Sequence, residues 1–134
     1  RTPHSLTRGM RAAQKAMSAF LPLIAWERFD RANLNEEIAI STRKVSVFGC
    51  GDAEQAVVWL MRRDSLGFDG RLDPLAPPRE VAIRVPGLKP GAARVTAFDT
   101  REGRALWTRV AVVEDAGLKL ELEVATDLAL AIRR

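Results

Sequence analysis

Residues 90–113, PGAARVTAFDTREGRALWTRVAVV, constrain this chain more than any other stretch. Ala93 to Phe98 can run extended, Asp99-Thr100-Arg101-Glu102-Gly103 can reverse the chain, and Arg104 to Val113 is a β-branched return. An Asp opening such a turn accepts local backbone N–H groups through its carboxylate. A Gly closing it supplies the positive φ of a type I turn that ends in a bulge. A hairpin cannot bury a face alone, so its neighbours must supply more strands.

They do so on both sides. Residues 37–41, 44–48, 80–85, 118–122 and 128–132 alternate or concentrate apolar side chains in strand-length runs. Residues 55–61, QAVVWLM, are apolar on both faces, as a strand covered on both sides must be. Gly49-Cys50-Gly51-Asp52 is expected to turn or bulge, and Pro86-Gly87 and Pro90-Gly91 to turn around Leu88. Residues 64–79 are expected to form a long loop. About eight short strands with no interleaved helix predict a mainly β, antiparallel, immunoglobulin-like β-sandwich.

The N-terminal residues have a different texture. Residues 8–21 hold strong helix formers, with Met10, Ala13, Met17, Phe20 and Leu21 on one side at helical spacing and Pro22 as the stop. Trp26 and Phe29 extend that apolar stripe. The expected organisation is a helical segment or linker over 1–34 and the β-sandwich over 35–134. A lone helix has little stability in water, so its stripe must be covered by the sheet, by another domain, or by self-association through this segment.

Composition narrows the function classes. The net charge is +4, but the arginines are scattered among Asp and Glu, and Tyr is absent, so no basic stacking platform for nucleic acid is expected. No apolar run approaches the ~20 residues of a membrane span. One Cys forbids an internal disulfide or a thiolate cluster, and one His removes the usual transition-metal sites. No metal, cofactor or catalytic residue is expected. The chain starts at Arg1 and is read as a mature or truncated piece, which leaves its compartment open.

Individual side chains divide into core and candidate contacts. Trp107 has two placements. With Asp99 against Gly103 it faces Val95 between Ala97 and Ala105, in the core; yet Val110 and Val112 have the opposite parity, so one set points outward unless a bulge near Thr108-Arg109 switches faces. An outward Trp107, with Phe68, would offer an aromatic surface for the CH groups of a sugar ring. Trp59 is expected in the core and Trp26 in the N-terminal patch. Cys50 lacks a nearby His base, since only His4 exists. Asp99, Thr100 and Glu102 are explained by turn capping, Asp64, Asp69 and Asp73 as solvated loop carboxylates, and Glu36-Glu37 as a strand start.

The pattern Gly91, Val95, Phe98-Asp99-Thr100, Gly103, Gly117-Leu118-Lys119-Leu120 and Asp127-Leu128-Ala129-Leu130 resembles the C-terminal β-sandwich of glycoside hydrolases, which follows a catalytic (β/α)8 barrel. Helix 8–21 and Ala25-Trp26-Glu27-Arg28-Phe29 look like the last barrel helix and its link. At Ala97 the sequence departs from the aromatic that often precedes this turn. The resemblance implies a non-catalytic accessory domain that braces an upstream barrel and sometimes contacts carbohydrate, the catalytic carboxylates lying on absent barrel strands. The alternatives are a stand-alone carbohydrate-binding module, an immunoglobulin-like protein-interaction domain and, ranked last, an enzyme in its own right.

Overall fold

The computed structural model describes residues 21–25, 32–63, 78–99, 103–125 and 127–134. A 3-10 turn, Leu21–Leu23, precedes nine strands: β1 (Ala32–Asn33), β2 (Ala39–Ile40), β3 (Val45–Gly51), β4 (Gln55–Arg62), β5 (Arg79–Val85), β6 (Gly91–Asp99), β7 (Arg104–Val113), β8 (Leu118–Val124) and β9 (Asp127–Arg133). They form two antiparallel sheets, one ordered β1-β3-β4-β9-β6-β7 and the other β2-β5-β8. The larger sheet is five full strands with the two-residue β1 on its edge. The expected N-terminal helix lies outside the described residues.

The sheets face each other across one core. Strand β8 shows why: Leu118, Leu120, Leu122 and Val124 are buried, while Lys119, Glu121 and Glu123 are exposed. Each buried Leu contributes about 2 kcal/mol of transfer free energy, and a one-residue slip would put all of them in water. Val58, Leu60, Val95, Leu130 and Ile132 of the larger sheet meet Ile83, Val85 and Leu120 of the smaller one.

The last strand in sequence lies at the middle of the larger sheet. β9 pairs with β4 on one side (Ala56↔Ile132, Val58↔Leu130) and with β6 on the other (Val95↔Ile132, Ala97↔Leu130). Its two faces carry different sizes. Leu128, Leu130 and Ile132 fill the space between the sheets, whereas Ala129 and Ala131 lie on the outer face beneath Leu23 and Ile24. Small side chains let the 3-10 turn segment close on the sheet, and Ile24 is only 3% exposed.

Three sequence expectations are corrected. Gly49-Cys50-Gly51 does not turn the chain; all three lie in β3, paired with Val58, Val57 and Ala56. The glycines serve close approach: a Cβ on Gly49 would meet Ile38 Cδ1 at 2.6 Å, and one on Gly51 would meet Leu34 Cδ1 at 3.0 Å. The reversal comes at Asp52, whose Oδ1 accepts the N–H groups of Glu54 and Gln55 at 2.8 Å each. Glu36-Glu37 do not start a strand. The Leu34 carbonyl accepts from Glu37 and Ile38 in a helix-like turn, which leaves only Ala39–Ile40 for β2. Finally, Trp107 pairs with Ala97 rather than Val95, which pairs with Arg109.

Candidate functional site

The turn between β6 and β7 closes as the sequence predicts at its Gly end: Gly103 has φ +72° and donates its N–H to the Asp99 carbonyl at 2.9 Å. Asp99 pairs with Arg104 and Phe98 with Ala105, but Ala97 pairs with Trp107. Leu106 is the extra residue of a bulge, and it reverses the parity of everything that follows. Trp107, Ala111 and Val113 therefore face the core, and Val110 and Val112 face outward, 71% and 66% exposed. The bulge that sets the faces is at Leu106, two residues earlier than Thr108-Arg109: the turn takes one residue more than a direct Asp99–Gly103 pairing leaves, and the extra residue in β7 restores the parity.

Trp107 is half-buried against the core, and the small side chains of Ala93, Ala97 and Ala111 leave room for its ring. Arg109, two residues on and on the same face, lays its guanidinium carbon 3.8 Å from the ring centroid. Its Nη1 donates to the Glu121 carbonyl of β8 at 3.4 Å. β7 and β8 are in different sheets, so this pair spans the open side of the sandwich.

A cleft of about 390 Å³ opens beside Arg109, lined also by Glu80, Ala82, Glu121 and Glu123. Glu80 lies directly opposite Glu123 and Ala82 opposite Glu121. Like charges facing across a strand pair are unfavourable, so they are not there for the sheet's stability. Trp107 packs against the core and does not line this cleft; Arg109 links the two, its guanidinium lying over the ring and beside three carboxylates that can accept from hydroxyl groups.

Of the two sugar-contact candidates, Trp107 is placed at this seam and Phe68 lies outside the described residues. Arg109 went unnoticed in the sequence, although Trp107-Thr108-Arg109 carried the signal: strand neighbours two apart share a face. Cys50 is half-buried on the outer face of the larger sheet, packed with Val57, Trp59 and Ile24. Among the described residues no group of three or more His, Cys, Asp or Glu side chains is arranged to hold a metal ion.

No family model and no curated protein matches this chain. Among solved structures, it is similar to a glycoside hydrolase family 44 endoglucanase of Clostridium acetobutylium ATCC 824, at 9% identity and a TM-score of 0.40. The likeness covers 69% of this chain and 17% of the endoglucanase, so the chain corresponds to a small part of that protein's length.

Proposed function

We propose that this chain is a non-catalytic, immunoglobulin-like accessory β-sandwich of a carbohydrate-active enzyme, one that braces an upstream catalytic barrel and contacts carbohydrate at the seam between β7 and β8. The observation that carries the sugar contact is Arg109, whose guanidinium lies over the Trp107 ring and also lines the cleft with Glu80, Glu121 and Glu123. The Arg109 side chain is exposed and its bond to β8 is long at 3.4 Å, so a pyranose can displace it from the ring. The displaced guanidinium then donates to sugar hydroxyls, which the carboxylates also accept from. The bracing role and the non-catalytic assignment rest on the turn pattern of residues 91–130 described above.

Two measurements test this. Residues 1–134 titrated with cellohexaose, xylohexaose and mannohexaose should shift the Trp107 indole and Arg109 signals with at least one sugar, and Trp107→Ala should abolish the effect. If none of the three perturbs Trp107, the sugar contact is wrong. On a panel of aryl glycosides the chain should give background rates, and turnover abolished by replacing one carboxylate would overturn the accessory assignment.

A further inference from the structure

The outer face of the larger sheet carries a second feature, remote in chemistry from the seam. Between Pro22-Leu23 and Val110 runs a groove of about 670 Å³ over β9, β6 and β7. Its floor is made of small side chains: Ala131, Thr96, Thr108 and Ala105. Thr96 pairs with both Ala131 and Thr108, so these form a continuous row across three strands. Two interstrand spacings give a width of about 10 Å, the diameter of an α-helix with its side chains. A floor of small residues lets a helix backbone come close.

One wall is apolar where an edge strand is ordinarily guarded by charge. Val110 and Val112 point outward from β7, each more than half exposed, beside Ala92. The end of the groove is cationic. Arg94 lies directly opposite Arg133, and Arg134 follows in the chain. Like charges opposed in this way cost stability, and among the described residues no carboxylate pairs with Arg94 or Arg133.

We infer that this groove is the docking site for an amphipathic helix of a neighbouring protein domain, with aliphatic side chains on Leu23, Val110 and Val112 and carboxylates on Arg94 and Arg133. Charge selects this occupant. Residues 1–26 of this chain contain Arg1, Arg8, Arg11 and Lys15 and no Asp or Glu, so the chain's own N-terminal segment brings the wrong sign to the arginines. A second copy docked by the same face sets arginine against arginine. A bare polyanion leaves the valines and Leu23 in water. The inference holds whether or not the domain binds sugar, and its test reads different residues from the sugar titration.

The probes are two synthetic 16-residue helical peptides, one with a leucine stripe flanked by glutamates and one with every Glu replaced by Lys. Binding to residues 1–134 is followed by fluorescence anisotropy and amide chemical shifts. The Glu peptide should saturate and shift Arg94, Thr96, Thr108 and Val110, and the Lys peptide should bind about tenfold more weakly or worse. Arg94→Ala and Val110→Ser, both exposed changes expected to leave the fold intact, should each weaken the Glu peptide about fivefold. The inference is overturned if both peptides bind alike, if the shifts fall elsewhere, if polyglutamate binds as tightly as the amphipathic peptide, or if sedimentation shows a dimer that buries Val110 and Val112.

Discussion

The side-chain amide of Gln55 pairs with the backbone of Ala25 in both directions: Oε1 accepts the Ala25 N–H at 2.7 Å, and Nε2 donates to the Ala25 carbonyl at 3.0 Å. Gln55 is itself 4% exposed, at the start of β4. It acts as one rung of an added strand, fixing the segment that carries Ile24 onto the outer face of the sheet. Gln55→Ala should therefore destabilise the chain by about 2 kcal/mol, since two bonds are lost and partly buried backbone groups are left without partners. Urea unfolding would measure it. Hydrogen exchange should also show the Ala25 amide losing protection ahead of β4 and β9; an unchanged midpoint and unchanged exchange would refute the staple.

Gly103 holds φ +72° at the end of the β6–β7 turn. Gly103→Val forces a β-branched side chain into the left-handed region, at a cost of at least ~1 kcal/mol. A melting temperature equal to that of the parent chain would contradict the turn geometry.

Gly49 has no such backbone demand, yet it should resist substitution as firmly. Its missing Cβ is the space into which Ile38 Cδ1 projects, with the Val57 carbonyl oxygen 3.1 Å from the same point. Gly49→Ala should cost about 1–3 kcal/mol through overpacking. Ile38→Val removes the offending methyl, so the double variant should be more stable than the sum of the two single changes predicts. Strict additivity in a double-mutant cycle would show that the two residues do not compete for space.

Trp59 has a buried indole Nε1 with no hydrogen-bond partner among the described residues, on the outer face near Ile24. Replacing it by Phe removes an unsatisfied donor at the expense of some packing volume, two effects that oppose each other. Trp59→Phe should thus lie within about 1 kcal/mol of the parent chain. A loss of several kcal/mol would mean that the N–H is bonded after all.

Strand positions were legible because alternation is local. The runs expected at 80–85, 93–98, 104–113 and 118–122 coincide with β5, β6, β7 and β8 to within two residues at either end. The positive φ at Gly103 was legible for the same reason, since a turn is decided by the residues in it. The two-sided apolar run at 55–61 marked an interior strand correctly, and β4 indeed lies between β3 and β9. Its partner at the centre could not be read off: β9, with its Leu and Ala alternation, is an ordinary two-faced strand until the 3-10 turn segment covers the Ala side.

The candidate sites divide along the same line. That Trp107 and Arg109 share a face follows from their spacing alone. Which face they share depends on a single unpaired residue, Leu106, and that bulge exists only in the pairing of β7 with β6. The same count sends Val110 outward to wall the groove and exposes Val112 on the same face beyond it. The meeting of Arg94 with Arg133, and the approach of Ile38 to Gly49, join residues whose separation in the chain hides them from each other. Local sequence determined where this chain is extended and where it turns, because steric and periodic preferences act over a few residues. Which side chains meet, and so what each surface can bind, was decided by strand order and register, which only the closed core selects.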